Sequence, residues 1–298
     1  MRKIGVVGAS GLVGEEVVKL LSRKSDVQMH FFSRNDTDFK GLDAILLCTP
    51  AEVSLALAPI GIALGVPIID LSSAFRKDVP LILSEVNGYL LEKRPPLIAC
   101  PNCIVAILLM VLGPLHKHFE ITKIGLSTYQ AASGAGLEGL LELEENRPPK
   151  IFPHPLAHNL FLHESPKLEN GYSEEEEKII FETKKILNAP EIGVNVRSIR
   201  VPVLRAHSIS ANVSFRKDPT NALSILATGN GISFHPSPTP KLAEHKETVF
   251  YGSVRKDLSN TNTLDLWIVG DQLLRGAALT AVEIADRLTI KRALPISQ

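Results

Sequence analysis

At 298 residues the chain exceeds the usual single domain, and a hydrophobic fraction of 45% supports a large core and excludes a disordered polymer. Its 32 basic residues are cancelled by 32 acidic ones, so no one-signed surface awaits nucleic acid or an anionic membrane. Three cysteines make no disulfide framework, the start runs into a strand pattern instead of a leader, and no apolar run nears the ~20 residues that cross a bilayer. These features predict a cytoplasmic protein with no nucleic-acid or membrane partner.

Residues 3–7 read as a buried strand, followed by Gly8-Ala9-Ser10-Gly11-Leu12-Val13-Gly14 and by apolar residues at 13, 17, 20 and 21, a helical spacing. A glycine-rich turn between a first strand and a helix N-terminus suits a dinucleotide pyrophosphate, because small residues admit the backbone and free amides meet the charge. A turn made for packing alone is the plainer alternative. A second strand, 28–32, ends at Ser33-Arg34, where NAD sites carry an acidic residue about 20 positions past the glycines. A hydroxyl and a guanidinium suit the 2′-phosphate of NADP instead; nearby Asp36 is compatible with NAD, and Arg34 reads equally as a solvated loop charge. Strand 43–49, helix 52–64 and strand 66–71 continue the alternation that a doubly wound parallel sheet requires. Arg76 follows the C-terminal edge of that last strand, where such sheets bind ligands, and is either an anion clamp or half of a surface ion pair.

Cys100-Pro101-Asn102-Cys103 precedes the apolar run 104–112, long enough for a buried helix. Asn102 is a favoured N-cap type, which puts Cys103 in the first turn at the positive end of the helix dipole. Such a position lowers a thiol's pKa from about 8.5 and yields the nucleophilic thiolate; a small buried hydrophobe is the alternative. The Cys-x-x-Cys spacing lacks thioredoxin-like surroundings and a second pair for zinc, so Cys100 reads as a bystander.

Strand 123–129 leads into the small-residue stretch Gln130-Ala131-Ala132-Ser133-Gly134-Ala135-Gly136. Residues 146–166 read as irregular; Pro153 and Pro155 break any ligand spacing, so His154, His158 and His163 read as loop-packing residues with no metal. Ser173-Glu174-Glu175-Glu176 is a capping box opening a helix to Leu187. Glu175 falls at the edge of its inward stripe with Lys178 beside it, a solvated pair in the plain reading. Residues 199–204 alternate like a strand, with Ile199, Val201 and Val203 on one side and Arg200 on the other. His207 shares the apolar face of a strand over 207–215. An unbroken strand points Arg200 and His207 oppositely, whereas an interruption at 204–206 lets them meet; a satisfied core histidine is the plainer reading. Strands 248–254 and 264–269 and a helix over 277–292 complete a strand-rich α+β second half.

Taken together these stretches, with Ser72-Ser73-Ala74-Phe75-Arg76 and Asp271-Gln272-Leu273-Leu274, resemble the aspartate-β-semialdehyde dehydrogenase family over nearly the whole chain. The resemblance implies a Rossmann-type doubly wound α/β domain, 1–102 plus 273–298, and an α+β catalytic and dimerisation domain, 103–272, in a homodimer. It implies reversible, NADPH-dependent reduction of L-β-aspartyl phosphate to L-aspartate β-semialdehyde and phosphate through a cysteine thioester. That reaction serves biosynthesis of lysine and diaminopimelate, threonine and methionine. By the same resemblance Cys103 is the nucleophile, His207 the acid/base and Gln130 the aligner of the acyl group. Arg200 holds the substrate α-carboxylate, Glu175 its α-ammonium, and Arg76, Asn102 and Lys178 the phosphate. Ser10, Gly11, Leu12, Val13, Ser33, Arg34, Ser133, Gly134 and Gln272 contact NADP, and no metal takes part. The alternatives are an N-acetylglutamyl-phosphate-type reductase, which carries Gly in place of Asn102, and a non-catalytic dinucleotide-binding paralogue.

Overall fold

Four consecutive fully buried residues, Ala44 to Leu47, show what the first half of the chain is built for. A strand without polar alternation must be covered on both faces, as in a parallel sheet flanked by helices. The computed structural model describes residues 1–293; residues 294–298, part of the expected first domain, lie outside the described residues. It divides into two compact units, one of Met1–Pro101 with the segment from Ala277, the other Asn102–Gly276.

The first unit alternates β1 (Arg2–Val7), α1 (Leu12–Ser22), β2 (Val27–Phe32), β3 (Ala44–Leu47), α2 (Ala51–Ala63), β4 (Ile68–Asp70), α3 (Ser84–Asn87) and β5 (Leu97–Ala99). The strands form one five-stranded sheet in the order β2-β1-β3-β4-β5, every pair parallel, which is the expected doubly wound arrangement. Gly14 is required by the turn after β1: a Cβ there would stand 2.0 Å from the Gly8 carbonyl oxygen. The helix expected over 277–292 is α-helical from Leu279 to Ala293 and is preceded by a π-helical turn, Leu274–Ala278. Arg2 ties this terminal helix to the start of β1, bridging Asp286 at 2.7 Å and Asp26 at 2.8 Å.

The second unit holds α4 (Cys103–Phe119), β6 (Ile121–Gln130), α5 (Gly136–Glu144), β7 (Phe161–Leu162), α6 (Glu174–Leu187), β8 (Gly193–Arg200) and β9 (His207–Phe215). It continues with α7 (Ala222–Ala227), β10 (Ile232–Phe234), α8 (Pro240–Ala243), β11 (Val249–Lys256) and β12 (Thr263–Gly270). A seven-stranded mixed sheet runs β10-β11-β12-β9-β6-β8-β7, with β6 parallel to β8 and antiparallel to β9. Helix α4, buried along 104–112, packs against this sheet and against α6 and α7. Tyr129 and Trp267 pair at 5.6 Å between ring centroids, both only partly buried. No helix among the described residues is long and apolar enough to cross a membrane.

Two expectations need correcting here. The strand expected over 199–204 ends at Arg200, and Arg200 sits with Val196 and Ser198 on the buried face, only 1% exposed. Alternation across Val201 and Val203 misled because Val203 turns back to hydrogen-bond Val201. The irregular stretch 146–166 contains the short strand β7, whose Phe161 and Leu162 pair with Arg200 and Ile199.

Candidate active site

Asn102 caps α4 as its residue type predicts, its Oδ1 accepting from the Ile104 amide at 2.8 Å, so Cys103 is the first helical residue. The other end of the Asn102 amide donates from Nδ2 to Glu175 Oε1 at 2.9 Å, and its backbone N–H donates to Glu182 Oε2 at 2.5 Å. Two carboxylates of α6 therefore hold the residue in front of the thiol. Glu175 is placed by the Ser173 capping box, in which Ser173 Oγ accepts from the Glu176 amide and Glu176 accepts from the Ser173 amide. Its Oε1 also lies 3.5 Å from Gln130 Nε2 at the end of β6.

The next residue, Ala131, is a hub. Its N–H donates to His207 Nδ1 at 3.0 Å, and its carbonyl accepts from Arg200 Nη1 at 2.6 Å. Strand pairing explains the convergence: Gln130 is in register with Arg200 on β8, and Tyr129 with Ser208 on β9. His207 is fully buried, and its Nε2 finds no hydrogen-bond partner among the described residues. Because Nδ1 accepts a backbone N–H, the neutral ring carries its proton on Nε2. Burial, then the charges of Arg200 and His163, push the imidazole pKa well below the ordinary 6.5 and keep the ring neutral. Exposed Gly134 roofs the pair: a Cβ there would lie 3.1 Å from Arg200 Nη1 and 3.2 Å from His207 Nε2.

Arg200 is held on its remaining side as well. Its Nε donates to Glu164 Oε2 at 3.2 Å and its Nη2 to Glu164 Oε1 at 2.5 Å, with His163 Nε2 at 3.0 Å from the same Nη2. Burial opposes ionisation of Glu164, but the hydrogen bond and charge of Arg200 outweigh it and hold the carboxyl below its usual range. Burial lowers His163 in turn. Loop packing is therefore not the whole role of His163, which joins Arg200 directly.

Asn102, Cys103, Gln130, Gly134, Glu175, Arg200 and His207 are thus linked by short bonds or chain adjacency. Ser133 and Gln272 are bound to each other, Gln272 Nε2 donating to Ser133 Oγ at 2.5 Å, while Ser133 Oγ donates to Leu204 O and Gln272 Oε1 accepts from the Ala206 amide. This clasp closes the 204–206 interruption that separates Arg200 from His207. Lys178 is not joined to the set; its ammonium pairs with Glu174 at 3.9 Å instead of Glu175. Sequence reasoning passed over Glu164, Glu182 and His163 as site residues. Glu182 carried a signal, since it lies two helical turns past Glu175 on the same face.

In the first unit, the turn 8–14 fits a dinucleotide phosphate. The α1 N-cap is Gly11, with no side chain capping the first amides, and a Cβ on Gly11 would meet nothing closer than 3.6 Å. Ser10, Gly11, Leu12 and Val13 line this exposed cradle. At the end of β2, Asp36 Oδ2 accepts the Ser33 N–H at 2.6 Å, folding its carboxylate back into the turn and leaving Arg34 exposed. Arg76 donates from Nη2 to the Leu71 carbonyl at 3.2 Å. Burial, aided by Asp70, pushes the Cys100 thiol up, and Cys48 likewise to about 12, so neither is a ready nucleophile at neutral pH. No cluster of three metal-ligating side chains occurs among the described residues.

Residues 29–94 match the family model for the semialdehyde dehydrogenase NAD binding domain, and residues 112–275 that for the semialdehyde dehydrogenase dimerisation domain. Aspartate-semialdehyde dehydrogenase of Prochlorococcus marinus is 37% identical over 96% of this chain and 95% of its own length. The enzyme of that description from Bacillus subtilis is 33% identical, covering 96% of each. Among solved structures, aspartate semialdehyde dehydrogenase II of Vibrio cholerae, complexed with ASA, superposes with a TM-score of 0.93 at 30% identity over 99% of both chains. The chain belongs to the aspartate-semialdehyde dehydrogenase family of oxidoreductases.

Proposed function

We propose that this chain reduces L-β-aspartyl phosphate to L-aspartate β-semialdehyde and phosphate, reversibly, through a thioester on Cys103. What supports this most is the meeting at Gln130-Ala131 of a buried imidazole protonated on Nε2 and a buried guanidinium, with Gln130 beside the same Glu175 oxygen that accepts from Asn102, the cap of the helix that carries Cys103. The Cys103 thiolate attacks the acyl carbon; the C–S bond forms, the C–O bond to phosphate breaks, and phosphate leaves. A reduced nicotinamide dinucleotide, held by the turn 8–14, would supply the hydride for the thioester carbon. Hydride addition leaves the charge on oxygen; His207 shares its Nε2 proton with that oxyanion and keeps it as the intermediate collapses, C–S cleavage releasing the aldehyde and regenerating the thiolate. Gln130 orients the acyl group, Arg200 takes the α-carboxylate and Glu175 the α-ammonium.

Arg76, Asn102 and Lys178 are the proposed phosphate contacts; Asn102 keeps one Nδ2 hydrogen for it beyond the bond to Glu175. Ser10, Gly11, Leu12, Val13, Ser33, Arg34, Ser133, Gly134 and Gln272 are the proposed NADP contacts. The matched dimerisation domain supports a homodimer. All three cysteines are free, the state a reducing compartment such as the cytoplasm maintains, and the product serves the aspartate family of amino acids. The test is the reverse reaction: aspartate semialdehyde should reduce NADP faster than NAD, and only when phosphate is present. Phosphate-independent reduction would remove the acyl-phosphate assignment.

A further inference from the structure

A bidentate carboxylate partner of Arg200 is already built into the chain. Glu164 takes both Nε and Nη2 of the guanidinium, the fork that a substrate carboxylate would use. We propose that Glu164 competes with the substrate α-carboxylate for Arg200 and is displaced when substrate binds, so that this residue sets how tightly the site holds carboxylate substrates. The inference rests on the reading of Arg200 as the α-carboxylate clamp.

The two partners are unequal in a way that makes the exchange one-sided. Arg200 is 1% exposed and anchored by the Ala131 carbonyl, on strand β8 between β6 and β7. The Glu164 side chain is 19% exposed and lies just past β7, in a stretch without regular structure that runs on to α6. The His163 backbone stays tied to β8 through its N–H bond to Ser198 O, so rotation of one side chain frees the fork without unpairing the strand. An arriving carboxylate replaces one charge-assisted pair by another, and the binding free energy loses what the internal pair contributed. Removing the internal competitor therefore tightens binding. A purely structural ion pair predicts the opposite sign, since its loss would loosen Arg200.

The experiment measures semialdehyde oxidation by the full-length enzyme with NADP and phosphate, comparing wild type, Glu164→Gln, Glu164→Ala and Arg200→Lys. Both Glu164 variants should lower KM for the semialdehyde about tenfold, equal to about 1.4 kcal/mol. They should lower by a similar factor the inhibition constant of L-2-aminobutyrate, which carries the same α-carboxylate and α-ammonium but no aldehyde. An unchanged or raised KM in Glu164→Gln, with Arg200→Lys raising KM strongly, overturns the competition and leaves the clamp standing. An unchanged KM in Arg200→Lys overturns both.

Discussion

Replacing Asn102 by Ala removes two separate things, and their sizes can be worked out from the bonds it makes. Loss of the cap to Ile104 costs about 0.5–2 kcal/mol. Loss of the Nδ2 bond to the buried Glu175 carboxylate costs about 1.5–3 kcal/mol, since a charged acceptor loses a donor. The sum, about 2–5 kcal/mol, falls on α4, the most deeply buried helix of its unit. Asn102→Ser separates the terms: serine still caps but cannot reach Glu175, so only the second loss should remain. Asn102→Asp also caps, but sets a third carboxylate against Glu175 and Glu182. Urea unfolding of the three variants should rank the wild type above Ser, and Ser above Ala. An unfolding free energy for Asn102→Ala within about 0.5 kcal/mol of wild type, or a Ser variant as weak as Ala, would refute the double role.

Two other expectations follow from the same geometry. Gly134→Ala should cut turnover at least about tenfold with little change in the unfolding midpoint, because the new methyl meets Arg200 and His207 from the exposed side; full activity would mean the roof is not part of the site. The depressed His207 pKa makes a pH prediction: stability is fully present above the ordinary imidazole value of 6.5 and declines as pH falls below it, where the unfolded chain takes up a proton that the folded chain refuses. The slope from this one group is at most about 1.4 kcal/mol per pH unit. His163 adds in the same direction, and His207→Gln should flatten the curve without abolishing it; an unaltered slope would contradict the assignment.

Local chemistry was legible in the sequence where a single residue type dictates a single contact. Asn102 as a cap, Ser173 with Glu176 as a capping box and the parallel alternation through residue 71 all follow from nearest-neighbour rules, and the structure contains them; α3 and β5, too short to show a pattern, add to it. The strand through Arg200 was read too long because its flanks alternate on past the end of β8; Arg200 does lie opposite Ile199, but only the folded sheet shows that its face is the buried one. Glu164 carried no signal at all. It lies in a stretch without periodicity, and its partner is 36 positions away, brought near by β7 pairing with β8. Ser133 and Gln272, 139 positions apart, show the same limit: each was singled out, but that they bind one another is a property of the folded sheet.

The central claim is that Cys103 carries the acyl group. Intact-mass measurement of the full-length protein mixed with β-aspartyl phosphate, in the absence of reduced nicotinamide, tests it without relying on turnover. An aspartyl adduct should form on the wild type, map to Cys103, disappear with hydroxylamine and be missing from Cys103→Ala, while Cys100→Ala still acquires it. An adduct that persists in Cys103→Ala, or one that maps to Cys100, would contradict the account.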